Sequence, residues 1–267
     1  MDTEEVAHLI HEWHMHEVVG IAPRLRAMSM FPSFLSPVSE GVQLRQVDVL
    51  PILECMREIT VTYDLRYSEL EFGTDCGSQY YLWASSGPSK LLSAVIDAHI
   101  KSITDQPDND DSSRCSQNLM SSWSGICIAV GLYLTSVLGV WNQGRPPENR
   151  LLHHNLRILK QDLEENYADI MGHDAAAQQL WSWKAFLGAL SLAHADSVID
   201  DDGLVGYTKL LDLVPVFSHY LQTSTRHMRF KKWAYARDLL GNVVFPAHFQ
   251  REALAQALWD RALSSSN

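Results

Sequence analysis

The sequence predicts an all-α fold, a single multi-helix bundle wrapped around two central apolar helices. The first observation behind this is the stretch Leu180 to His194, where Trp183, Phe186, Leu187 and Leu190 recur at helical spacing. Leu180, Trp181 and Leu192 make the opposite side apolar too, and Lys184 is the only charge between Asp174 and Asp196. A helix apolar on all sides is central to a bundle or spans a membrane. About fifteen residues fall short of the roughly 20 that a bilayer needs, so the central position is expected. The second observation is Leu119 to Trp141, which carries no acid or base apart from cysteine and tyrosine. It is long enough to span, with Trp123 and Trp141 placed for two interfaces. However, Ser121, Ser122, Ser124, Thr135, Ser136 and three glycines favour the second central helix of a large bundle. The third observation is a set of striped segments that would wrap this pair.

With 267 residues and 46% hydrophobic content, the chain can bury a full core. It reads as one helical domain over 1–267, with residues 1–43 as an N-terminal helix and loop and 104–117 as a mobile internal loop. A formal net charge of -11 and a pI near 5.5 argue against direct nucleic-acid contact, which needs a clustered basic footprint. Cys55, Cys76, Cys115 and Cys127 are scattered without a CxxC pair, so reduced thiols in a cytosolic or nuclear compartment are expected. The opening MDTEEVAHLIHEWHMHE carries acid where a signal peptide needs a basic start, which argues against secretion.

In chain order, residues 2 to 19 read as an amphipathic helix through Val6, Leu9, Ile10, Trp13 and Val18, ending near Gly20 and Pro23. Met28 to Gly41, with prolines and serines, is a loop. Ile52, Met56, Ile59, Tyr63, Tyr67 and Leu70 follow helical spacing, although Ile59 to Tyr67 also alternate as a strand would. Length and the lack of a partner strand favour the helix. Phe72 to Ser86 reads as irregular, and Pro88 as an early residue of a helix with Leu91, Leu92, Val95, Ile96, His99, Ile100 and Ile103 on one face. Residues 104–117, TDQPDNDDSSRCSQ, are the low-complexity break. From Glu148 to Ile170 the stripe Leu152, Leu156, Leu159, Leu163, Tyr167 and Ile170 predicts an outer helix ended by Gly172, with Asp174 capping the next. IDDDG at 199–203 is a turn. Leu204 to Leu221, His227 to Leu240 and His248 to Leu263 complete a helical last third, and no sheet is expected.

Motifs for chemistry are sparse. His8, Glu12 and His16 share a helical face suited to a divalent ion, but HEWHMH departs from HExxH and reads as a solvated face. His153 and His154 read as surface residues, and His194 as a partly buried, hydrogen-bonded residue. Asp200, Asp202 and Gly203 resemble part of a calcium loop, yet Val198 and Lys209 occupy its first and last ligand positions. GxxxxGK[ST], GxGxxG and GxSxG do not occur, and neither cofactor nor metal is expected. Eight tryptophans fall in or beside apolar segments, where such rings fill gaps between helices or line a cavity. Trp123, Trp181, Trp183 and His194 are the candidate lining of an effector pocket between the central helices.

The run Trp233 to Leu263, WAYARDLLGNVVFPAHFQREALAQALWDRAL, resembles the closing segment of the helical regulatory domain of fungal zinc-cluster transcription factors, through Trp233, Ala236, Arg237, Leu240, Phe245, Pro246 and Trp259. LWSWKAFLGALSLAHADS and SKLLSAVIDAHIKSI are similar to that family's Trp-rich and early leucine/alanine helices, and the likeness covers residues 45 to 263 loosely. The resemblance implies a nuclear, non-enzymatic domain that acts through protein partners of a transcription complex or through a small apolar effector. Its six-cysteine zinc cluster, basic linker and coiled coil do not occur in this sequence. Away from the resemblance, the location is cytoplasmic, and an enzyme of fungal specialised metabolism stays open, with His194 or His99 as base in a cavity between helices.

Overall fold

A computed structural model describes residues 46–72, 77–103, 119–139, 146–198, 207–228 and 232–265. The readings made for 1–43, 104–117, 199–203 and Trp141 lie outside the described residues. The described residues are mostly helical, with one short two-stranded ribbon, and the all-α class holds. The chain opens with β1 (Gln46–Asp48), α1 (Leu50–Phe72) and α2 (Gly77–Ile103), then β2 (Met120–Ser122), α3 (Trp123–Leu132) and a π-helical turn (Tyr133–Val137). Next come α4 (Asn149–Glu165), α5 (Tyr167–Met171), α6 (Ala175–Ser197), α7 (Tyr207–Leu211), α8 (Val214–Met228), α9 (Trp233–Val243) and α10 (Glu252–Ser264).

α6 is the hub. Every residue from Leu180 to Leu192 is buried, and the helix packs against α3, α4, α5, α8, α9 and α10. Asp174 caps it as expected, accepting the amide of Ala176 at 2.9 Å. α3 lies beside it, and Ser136 and Ser191 share a hydrogen bond of 3.0 Å between the two segments. No helix among the described residues is long and apolar enough to cross a membrane.

The second apolar stretch is nevertheless not one helix. Ser121 and Ser122 pair with Val47 and Gln46 across an antiparallel two-stranded ribbon that sequence alone did not predict. The Ser122 hydroxyl then accepts the Gly125 amide at 3.0 Å and starts α3. Farther on, Leu138 N–H reaches back to Tyr133 C=O at 3.0 Å, the wide register of a π turn, and Gly139 ends the segment at φ 62°.

Other boundaries also move for local reasons. α1 is helical because Ile52, Met56, Ile59 and Tyr63 are buried while Val61, which a strand would place with Ile59 and Tyr63, is 57% exposed. α2 begins at Gly77, so the stretch read as irregular is largely helix and Pro88 lies inside it, removing one amide partner from the ladder. Ile96 and Ile100 sit on its outer side rather than on the packed face. The outer helix expected over 148–170 divides at Asn166, whose side-chain amide bonds the Asp162 carbonyl at 2.8 Å and competes with the helical backbone. The helix read from Leu204 to Leu221 is α7 and α8, separated at Asp212 and Leu213, with Pro215 in the first turn of α8. α8 runs on to Met228, through the break expected between Leu221 and His227. Residues 248–251 form a turn before α10.

Gly188 shows how tightly α6 is packed. A Cβ there would stand 2.1 Å from Cε1 of Phe217, so the ring rests directly on the α6 backbone. Gly188→Ala is expected to lower the unfolding free energy by about 1–3 kcal/mol through overpacking. Adding Phe217→Leu should recover part of that loss in denaturant unfolding. Full stability of the single variant would show that the ring does not occupy this seat.

Candidate functional site

Three of the four predicted pocket residues act as clamps in the interior. Trp123 donates its indole N–H to Val95 C=O at 2.9 Å and tilts over His99 at 4.3 Å, tying α3 to α2. Trp181 donates to Leu163 C=O at 3.0 Å and meets Tyr220 edge-on, facing α4 and α8. Trp183, two residues on and so on another side of α6, donates to Val244 C=O at 2.7 Å and packs near Tyr133. His194 is buried near the end of α6. The three rings diverge toward different partners, and a buried indole needs an acceptor such as these carbonyls provide.

What the structure does bring together is a buried polar cluster. The Lys184 ammonium, 3% exposed, donates to Asp162 Oδ2 at 2.7 Å and to Ser121 Oγ at 2.5 Å. Asp162 Oδ1 accepts from Ser122 Oγ at 2.5 Å and from Asn166 Nδ2 at 3.1 Å, while Asn166 Oδ1 accepts from Gln46 Nε2 at 2.9 Å. Gly125 makes room for the carboxylate, since a Cβ there would lie 2.1 Å from Asp162 Cγ. The ribbon, α3, α4 and α6 thus meet at one ion pair.

Sequence reading singled out Lys184 as a lone charge and missed Asp162, although the signal was there. Asn155 and Asp162 both fall within the buried arc of α4. An acid in one apolar arc and a base in another are candidates to pair, because neither charge is tolerable alone. Ser121 and Ser122 are buried with this pair, and its hydrogen bonds join the ribbon, α4 and α6. Lys184→Met alone is expected to cost about 3–5 kcal/mol by leaving a buried carboxylate unpaired. The double variant Lys184→Met, Asp162→Leu should recover most of it in denaturant unfolding. Equal loss in both would remove the ion pair from the account.

A second polar junction closes the C-terminal loop. Asp64 on α1 accepts the backbone amides of Ala247 and His248 at 2.8 and 2.9 Å, and Arg57 Nε donates to Val243 C=O at 2.9 Å. Burial pushes the Asp64 carboxyl above its ordinary value, outweighing the two amides that hold it down. A carboxyl raised in the folded state contributes stability below its unfolded pKa and loses it as pH rises through the folded one. The stability difference between wild type and Asp64→Asn should therefore shrink as pH rises from the ordinary carboxylate range through the raised folded value. A difference that grows over that range, measured by denaturant unfolding at each pH, would reverse the assignment.

The open concavity lies elsewhere, between the C-terminal part of α6 and helices α7, α8 and α10. It is a cleft of about 420 Å³ walled by Ala189, Leu192, Leu210, Phe217, Leu221 and Leu258. Ser218 and Gln222 add polar groups, and Asp196 and Arg261 stand at its mouth beside the exposed Leu211 and Val214. None of Trp123, Trp181, Trp183 or His194 lines it. Its walls come from segments whose apolar spacing is legible, but only their mutual packing creates the space. Among the described residues no cluster of three or more metal-ligating side chains occurs. No protein family, curated protein or solved structure matches the chain.

Proposed function

We propose that this chain is a helical regulatory domain that responds to a small apolar effector held in the cleft between α6, α7, α8 and α10. The observation that carries this is the cleft itself. Its volume of about 420 Å³ lies within the range of small-molecule sites, and apolar walls with a few polar groups are their usual lining. The resemblance of residues 45 to 263 to the regulatory domain of fungal zinc-cluster factors supports the same role, with a nuclear setting and protein partners as further parts of the proposal. The net charge of -11 supports a domain that leaves nucleic-acid contact to other chains or segments.

Regulation would work by population shift. α7 is a five-residue helix whose Leu210 and Leu211 face the cleft, so an occupant touches it together with the α6 hub. A ligand that binds one packing of α7 better than another favours that packing by the difference in affinity. The alternative, an enzyme of specialised metabolism with His99 or His194 as base, would be favoured by either histidine in a cavity with a carboxylate behind it, and neither lines this cleft.

Ser218→Trp, which places a large ring in the cleft, provides the test. Calorimetry with a panel of uncharged apolar compounds is expected to find binders to the wild type whose affinity falls at least about tenfold in Ser218→Trp. A ligand at a hundred times its Kd should also add about 2.7 kcal/mol to wild-type stability. Absence of binding, or equal binding to both proteins, would end the proposal.

A further inference from the structure

We infer that the cleft takes an amphiphile with a carboxylate head, and that Arg261 is the partner of that head. This rests on the effector cleft proposed above and specifies its ligand class. The apolar walls receive a hydrocarbon or aromatic body, while the mouth offers two charged groups of opposite sign, Asp196 on α6 and Arg261 on α10. The two differ in their engagement. Asp196 already takes part in an interaction within the protein. The Arg261 guanidinium, which lines the cleft, has no carboxylate partner among the described residues.

Guanidinium donors are arranged as a planar fork that matches a carboxylate with two parallel hydrogen bonds. The rival is a cationic head, favoured by the partial negative charge at the C-terminal ends of α6 and α10. An exposed helix end changes affinity by about two- to fivefold. A full guanidinium charge with two parallel donors outweighs the half-charge of an exposed helix end, so the guanidinium decides the sign. Ser218 and Gln222, farther along α8, would bind a hydroxyl or carbonyl on the body rather than the head.

Three probes with the same ten-carbon chain separate these cases: decanoate, decanol and decylamine, each titrated below its aggregation limit by calorimetry. The full chain is used as wild type, Arg261→Gln, Arg261→Lys and Ser218→Trp, with circular dichroism to verify folding. Decanoate is expected to bind the wild type about two- to fivefold more tightly than decanol or decylamine. Arg261→Gln should bring decanoate to the level of decanol, and Arg261→Lys should retain part of the preference. Equal binding of decanoate and decanol, or a preference for decanoate untouched by Arg261→Gln, would overturn the inference while leaving the apolar cleft intact. Tightest binding by decylamine would overturn it in favour of a cationic head. If no probe binds the wild type, or Ser218→Trp binds all of them equally well, the effector cleft falls and this inference with it.

Discussion

A lysine ammonium sits within the fully buried stretch of the hub helix, and much of the surrounding architecture follows from keeping it solvated by protein groups. Lys184 cannot reach water, so it draws Asp162 from α4 and Ser121 from the ribbon. Asp162 has further lone pairs to satisfy, which brings in Ser122 and Asn166. Ser122 also starts α3, and Asn166 also ends α4, so the groups that stabilise the ion pair set the limits of two neighbouring helices. Gly125 is the steric counterpart, because only a residue without a Cβ leaves room for the carboxylate. A buried pair of this kind adds little net stability over an apolar replacement, but it penalises other registers of α6 against its neighbours.

Around this point the tryptophans provide length. Trp123, Trp181 and Trp183 each bury an indole and spend its N–H on a carbonyl of a different segment, so the two central stretches are fixed to α2, to α4 and to the loop after α9. That rigid half contrasts with the far end of α6. There the partners are the short α7, α8 and the last turns of α10, and their side chains leave the cleft. Fixing one end of a hub helix while leaving a concavity at the other suits a domain in which an occupant biases a local packing without disturbing the core.

Much of the fold was legible in the sequence. The uniform burial of Leu180 to Leu192 follows from an uncharged, two-sided apolar pattern, and the stripe Leu152, Leu156, Leu159 and Leu163 marks the outer helix that covers it. Three features resisted. The ribbon joins Gln46–Asp48 to Met120–Ser122, two three-residue strands too short for any period to show. Pro88 reads as a start signal but stands inside α2, where tertiary packing overrides local preference. The pocket was placed among the tryptophans because aromatic residues both fill cores and line sites, and composition cannot separate those uses. Their indole acceptors, 28, 18 and 61 residues away in the chain, become visible only in three dimensions.

Amide hydrogen exchange tests the hub role of α6 most directly, because it reports the stability of each segment separately. Residues 180–192 should be the slowest to exchange, opening only with global unfolding, while α7 exchanges much faster. If residues 180–192 exchanged as quickly as α7, or more quickly than α10, the helix would not be the buried centre on which this account depends.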